Sequence, residues 1–99
     1  MGQKLSAQDM ALYRAVDEVL HYVWDPIGVA GTPQARDEYY GYLPRVFALV
    51  RDCANESAIA EELSSIATQR MGLSARPEHD LEIARLLLSW RASVNERLA

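Results

Sequence analysis

Helical spacing of apolar residues, interrupted by proline and glycine, is the feature that most constrains this chain. Four segments of its 99 residues repeat apolar side chains every three or four positions, and none alternates apolar with polar residues over a strand length. The first pattern indicates a helix with one buried face, whereas the second would indicate a β-strand. We therefore predict an all-α fold, a compact four-helix bundle formed by residues 1–99 as a single domain.

The first two predicted helices flank an unusual connection. Ser6, with Asp9 three residues later, is a typical start for helix one. The helix must stop near Trp24, because Pro26 disfavours helical backbone at the residue before it. The apolar stripe of helix one is predicted to be Leu12, Val16, Val19, Leu20 and Val23, with Arg14, Asp17, Glu18 and His21 on the other side. Helix two carries Tyr39, Leu43, Val46, Phe47, Val50 and Cys53, and it either kinks at Gly41 and Pro44 or begins near Leu43.

Helices three and four follow with clear boundary signals. Asn55 or Ser57 caps helix three, and Gly72 is placed as its left-handed stop. Pro77 is expected in the first turn of helix four. The apolar residues of helix four cover roughly 220° of its circumference, which is wider than one buried face requires. Helix four is therefore either the central element of the bundle or part of a homodimer contact.

Charge and composition exclude several classes of partner. The net charge is −4, and Lys4 is the only lysine, so no basic face is available for nucleic acid. No apolar run reaches the roughly 20 residues of a membrane-spanning helix, and the sequence shows no signal-peptide core. Cys53 stands alone and is predicted to be a buried, reduced thiol. We expect a cytoplasmic protein whose partner, if charged, is a basic protein.

The connection between helices one and two is predicted to be long and ordered. Trp24 and Ile27 are expected to anchor it to the core, and Asp25 is suited to hydrogen-bond the loop backbone. Its turns are assigned to Pro26, Gly28, Gly31 and Pro33.

An acidic and tyrosine-rich run ends this connection and is the predicted partner-binding site. Asp37, Glu38, Tyr40 and Tyr42 fall within six positions. Exposed tyrosine offers a large contact area with a polar tip, as protein-binding surfaces often do. Asp37 and Glu38 are also placed to cap helix two. The preferred hypothesis is a non-enzymatic protein-interaction module.

The alternative is a small metal-dependent enzyme that uses His21, Asp25, Asp37 and Glu38. A zinc site usually needs three or four convergent His or Cys ligands, and the chain has two histidines and one cysteine in total. It has no nucleophile or phosphate-binding motif. We therefore expect no cofactor, no metal and no catalytic residue.

Three motifs resemble a family of small bacterial proteins that is described as a domain of unknown function. They are "WDPIGV" at 24–29, "DEYYGYLP" at 37–44 and "IATQRMGL" at 66–73, in that order. The resemblance spans residues 20–88. It implies a compact helical protein of the bacterial cytoplasm and assigns no activity, cofactor or catalytic residue.

The run "DEYYGYLP" is also similar to the binding site of the colicin-nuclease immunity proteins. Those acidic four-helix domains bind basic toxins through an acidic helix with paired tyrosines before a proline. Here the spacing to Pro44 differs and the flanking helices do not match, so the likeness concerns the site alone. It implies an inhibitor of the immunity or antitoxin type.

Overall fold

Four α-helices build the part of the chain that the structure describes, as the sequence predicts. The computed structural model describes residues 5–52 and 55–98, and in this part of the chain there is no β-strand. The predicted buried thiol of Cys53 and the side chain of Leu98 lie outside the described residues. The helices are α1 (Ala7–Val19), α2 (Leu43–Arg51), α3 (Glu56–Ser65) and α4 (Pro77–Leu98).

The helix boundaries follow local chemistry. The Ser6 hydroxyl accepts a hydrogen bond from the Asp9 N–H at 3.0 Å, and the Asn55 side chain accepts one from the Ala58 N–H at 2.8 Å. Both bonds satisfy backbone donors that a helix start leaves unpaired. Gly72 adopts φ +69°. Its left-handed backbone ends the third helical segment, as predicted.

Two helices continue into π segments, Leu20–Trp24 after α1 and Ile66–Arg70 after α3. In a π segment the backbone N–H donates to the carbonyl five residues back, as the Asp25 N–H does to Leu20 at 3.0 Å. Each turn therefore holds more residues than an α turn, and side chains after it are rotated about the helix axis.

The first π segment overturns two predictions for the end of helix one. His21, predicted on the polar side, is buried, and Val23, predicted on the apolar stripe, is exposed. The wider turn directs Trp24 into the core and leaves Tyr22 and Val23 on the surface. Regular helical spacing fails here because it assumes α geometry throughout.

Helix α4 is the central element. It packs against α1, α2, α3 and the first π segment. This explains most of its wide apolar arc within a single chain. Its large exposed apolar side chain is Trp90, while Leu86 and Leu88 are partly buried against the core. The buried apolar side chains of α4 are Ile83, Ala84, Leu87 and Val94.

The connection before α2 is a series of turns that includes a short 3₁₀ helix at Pro33–Ala35. Helix α2 begins only at Leu43, preceded by Tyr42 without a side-chain cap, so Asp37 and Glu38 do not cap it. Ile27, predicted to anchor the loop, is exposed. Pro44 fits the first turn of α2, where its missing N–H costs nothing. No helix in the described part of the chain is both long and apolar enough to cross a bilayer.

Gly72→Ala tests the left-handed stop. A Cβ at Gly72 meets no atom within 4 Å, so the cost should come from backbone strain alone. We expect a loss of about 1 kcal/mol in the free energy of unfolding, measured by urea denaturation. Gly41→Ala is the matched control, since its Cβ also meets nothing and its φ is not left-handed. Equal stability of the two variants would contradict the assignment.

Candidate functional site

The Asp25 carboxylate organises the loop that follows the first π segment. Asp25 lies in the left-handed region at φ 34° and ψ 61°, which aspartate tolerates better than most residues. Its carboxylate accepts hydrogen bonds from the Val29 N–H at 2.7 Å, the Ala30 N–H at 3.0 Å and the Tyr39 hydroxyl at 2.7 Å. The same hydroxyl accepts from the Ile27 N–H at 3.2 Å. The prediction that Asp25 hydrogen-bonds the loop backbone is confirmed.

This arrangement fixes the protonation states of Asp25 and Tyr39. Partial burial acts to raise the pKa of Asp25, but the hydrogen bonds from Val29, Tyr39 and Ala30 together outweigh it and lower the pKa. Burial of Tyr39 raises the pKa of its hydroxyl above the ordinary value, and the bond to Asp25 adds to the shift. The pair therefore stays a carboxylate and a phenol, which suits a structural hydrogen bond.

Trp24 fills the core as predicted and also holds two polar side chains of α4. Its indole Nε1–H donates to Asp80 Oδ1 at 3.0 Å. Its carbonyl oxygen lies 3.2 Å from His79 Nε2. A carbonyl only accepts, so this nitrogen of His79 carries the hydrogen. The end of the first π segment is thereby tied to the start of α4.

Asp80 is a carboxylate buried in the core, with 3% of its surface exposed. Oδ2 has no hydrogen-bond partner within the part of the chain that the structure describes. Burial raises the pKa of Asp80, against the opposing effect of the bond from Trp24. Unpaired buried polar atoms are rare in folded proteins and call for an explanation.

A cavity of about 210 Å³ adjoins this carboxylate at the start of α4. We call it the Asp80 cavity. Its lining includes both apolar and polar residues. The apolar ones are Trp24, Pro26, Ala67 and Leu73, and the polar ones are Ser74, Arg76, His79 and Asp80. Both π segments, or the turns that follow them, contribute to its lining.

A second feature lies on the surface and is built around Arg36. The guanidinium of Arg36 forms a bidentate ion pair with the Asp17 carboxylate, and both N–O distances are 2.9 Å. The guanidinium carbon lies 5.4 Å from the ring centre of Tyr22 and 6.0 Å from that of Tyr40. These distances are within the range of cation–π attraction. Tyr22 is 56% exposed and Tyr40 49% exposed. We call Asp17, Tyr22, Arg36 and Tyr40 the tyrosine face.

The predicted acidic-tyrosine run is divided by the fold. Asp37 and Glu38 are exposed beside Tyr40 in the chain. Tyr42 is partly buried, packs against the core, and lines a separate depression with Arg45 and Arg70. Tyr40 therefore joins Tyr22 and Arg36 rather than Tyr42.

The four residues of the metal-enzyme alternative do not form a site. His21 is buried against the rings of Tyr22 and Tyr39, and the Asp25 carboxylate is occupied by the loop. Asp37 and Glu38 face solvent. Among residues 5–52 and 55–98, no three His, Cys, Asp or Glu side chains are placed to hold one metal ion.

Sequence reasoning missed Asp80, Tyr22 and Arg36 as site residues. For Asp80 a signal existed, because it precedes Ala84 by four positions and Leu87 by seven and so lies on the buried stripe of α4. A carboxylate on such a stripe marks a buried charge. No local pattern could bring Tyr22 next to Arg36, since that contact depends on the π segment and the loop path.

Comparison with known proteins gave no matching family model, no matching curated protein and no matching solved structure.

Asp25→Asn should isolate the contribution of the carboxylate to stability. Asparagine also tolerates left-handed backbone, but it offers one acceptor oxygen where the carboxylate offers two. We expect a loss of about 1–2 kcal/mol in the free energy of unfolding at neutral pH, measured by urea denaturation.

The pH dependence follows from the lowered pKa of Asp25. The charged form favours folding above the unfolded pKa of about 3.9, and this contribution is lost as pH falls through the lower folded value. The difference between wild type and Asp25→Asn should therefore shrink below about pH 4. Asp37→Asn, which alters an exposed carboxylate of the same loop, is the control and should match the wild type at neutral pH. A difference that stays constant down to low pH would show that the carboxylate charge is not responsible.

Proposed function

We propose that this protein is a non-enzymatic protein-interaction module that binds a basic partner protein through the tyrosine face. The observation that supports this most strongly is the arrangement of Tyr22, Arg36 and Tyr40. Tyrosine, tryptophan and arginine are the residue types in which binding energy concentrates at protein interfaces. Two large exposed rings held beside one fixed guanidinium form such a cluster.

The tyrosine face is ordered before a partner arrives. Arg36 is held by its bidentate ion pair with Asp17, and the rings of Tyr22 and Tyr40 lie against the guanidinium. Side chains that are already ordered lose less conformational entropy on binding. Exposed ion pairs contribute little to stability, so the stability of the fold gives little reason for this arrangement of Arg36.

The charge around this face favours a basic partner. Asp17 neutralises Arg36, and Asp37 and Glu38 are exposed next to Tyr40 in the chain. The whole chain has a net charge of −4. Complementary charge accelerates association and selects against acidic proteins. In its specific form, the proposal is that this protein inhibits a basic toxin, as immunity proteins and antitoxins do. It would act in the bacterial cytoplasm. The likeness of "DEYYGYLP" to the immunity-protein site supports that form through Asp37, Glu38 and Tyr40 alone, since residues 37–42 form turns before α2 and Tyr42 lies apart.

Self-association through α4 stays a prediction of the sequence. The surface left for it is a groove of about 220 Å³ between α1 and α4. Its apolar lining includes Trp90, Val23 and Leu86, and Tyr22 belongs both to this groove and to the tyrosine face. A second copy bound here would compete with a partner for Tyr22.

The binding prediction is tested with a Tyr22→Ala, Tyr40→Ala double variant. A partner is first captured from a lysate of the source cell, purified, and titrated by calorimetry against each variant. We expect this partner to be basic and to bind the double variant at least about tenfold more weakly, because two interface rings are lost. Arg36→Lys keeps the positive charge but loses the planar guanidinium that pairs with Asp17 and lies against the two rings, so it should also weaken binding.

The control is a Gln69→Ala, Arg70→Ala double variant, which alters two exposed residues that are not part of the tyrosine face. It should bind as the wild type does. All variants must unfold at similar temperatures before affinities are compared. An acidic partner, or full affinity in the Tyr22, Tyr40 variant, would refute the tyrosine face as the binding site.

The dimer prediction is tested by light scattering over a range of protein concentration. We expect a weak dimer that forms at high micromolar concentration, because the groove is small compared with a stable interface. Trp90→Ala should abolish it, whereas Ser89→Ala, next to it in the chain, should not. If the wild type stays monomeric at every concentration tested, the groove does not bind a second copy of the chain and the dimer prediction is wrong.

A further inference from the structure

The Asp80 cavity combines features that stability alone does not explain. A carboxylate with 3% of its surface exposed lines it, and Oδ2 of that carboxylate lacks a partner in the described chain. A buried charge without full pairing destabilises a fold. Replacing such a group with an apolar residue often stabilises a protein, so its presence points to a ligand.

The polar residues of the lining differ in charge and burial. Asp80 is buried, and its unpaired Oδ2 is covered from solvent, so a cationic donor would reach and satisfy this oxygen when the side chains that line the cavity move aside. Arg76 is exposed and precedes the first turn of α4, and Pro77 occupies the first helical position. The start of a 22-residue helix carries partial positive charge, which favours an anion together with the guanidinium. Arg76 and Asp80 are four residues apart, about 6 Å along the helix axis.

The remaining lining restricts size and polarity. Pro26, Ala67 and Leu73 supply apolar contacts, which suit the hydrocarbon part of a ligand. The volume of about 210 Å³ corresponds to about seven water molecules, or a ligand with a similar number of non-hydrogen atoms.

We propose that the Asp80 cavity binds a small zwitterion, an amine–carboxylate of the amino-acid class. Its ammonium group pairs with Asp80, and its carboxylate pairs with Arg76 and the start of α4. The three donors of an ammonium group are well suited to an unpaired carboxylate oxygen. His79, whose Nε2 is bonded to the Trp24 carbonyl, also lines the cavity. The assignment is independent of the tyrosine face.

Trp24 provides a direct readout of binding. The chain has two tryptophans, Trp24 and Trp90. In a Trp90→Phe protein, fluorescence and the indole N–H resonance report on Trp24 alone. Its Nε1–H is bonded to Asp80, so a ligand on that carboxylate should shift both signals.

The experiment titrates the Trp90→Phe protein with glycine, L-alanine, L-valine and 4-aminobutyrate. Isobutylamine and 3-methylbutanoate serve as single-group controls, because each lacks one charged group of L-valine. At least one zwitterion should produce a saturable shift of the Trp24 signals and should bind about tenfold more tightly than either control.

Two variants separate the roles of the charged groups. Asp80→Asn keeps an acceptor for the Trp24 indole and should weaken the zwitterion and isobutylamine about tenfold while leaving 3-methylbutanoate unchanged. Arg76→Ala alters an exposed residue. It should weaken binding of the zwitterion and 3-methylbutanoate about tenfold and leave isobutylamine unchanged. If Asp80→Asn fails to fold, Arg76→Ala still decides the outcome. The proposal is overturned if no zwitterion shifts the Trp24 signals up to millimolar concentration, or if binding is the same in both variants.

Discussion

The three hydrogen bonds accepted by the Asp25 carboxylate are the constraint on which the rest of the structure depends. They reverse the chain directly after the first π segment and connect it to Tyr39, fourteen residues later. Trp24, on one side of this turn, enters the core and reaches Asp80. Arg36, on the other side, lies against Tyr22. Both the cavity and the tyrosine face are therefore positioned by one carboxylate that belongs to neither.

The fold places its exceptions to ordinary helix packing close together. The π segments, the left-handed Asp25 and the buried Asp80 all lie at or near the same end of α4. Each costs stability when taken alone, since π turns and left-handed backbone are unfavourable and buried carboxylates lose hydration. Departures from regular local structure are expected where a protein binds something. At the opposite end, the packing of Val94 against the core follows the regular pattern.

Much of the fold could be predicted from the sequence because its signals are local. Ser6, Gly72 and Pro77 act within one turn of themselves, so these boundaries could be identified correctly, and Asn55 was one of the two caps proposed for α3. The start of α2 at Leu43 was one of two alternatives that Pro44 allowed. The register after Leu20 could not be predicted, because an apolar repeat contains no sign that one turn is wider. Tyr42 was grouped with Tyr40 by proximity in sequence, but the turns before α2 direct them to different surroundings.

The first π segment has a consequence for how this protein can change over evolution. A π turn differs from an α turn by the number of residues it contains, so the count of residues between Val19 and Asp25 is as important as their identity. Deleting one residue there would leave a helix of normal geometry and a similar composition. The Asp25 N–H, which bonds to the Leu20 carbonyl five residues back, would then reach the same carbonyl across four residues, as in an α turn. A deletion among His21, Tyr22 and Val23 would remove one of these side chains and redirect the other two, while Trp24, Asp25 and the loop after them would keep their register. A length change at the end of α1 would thus act on the tyrosine face and spare the Asp80 cavity.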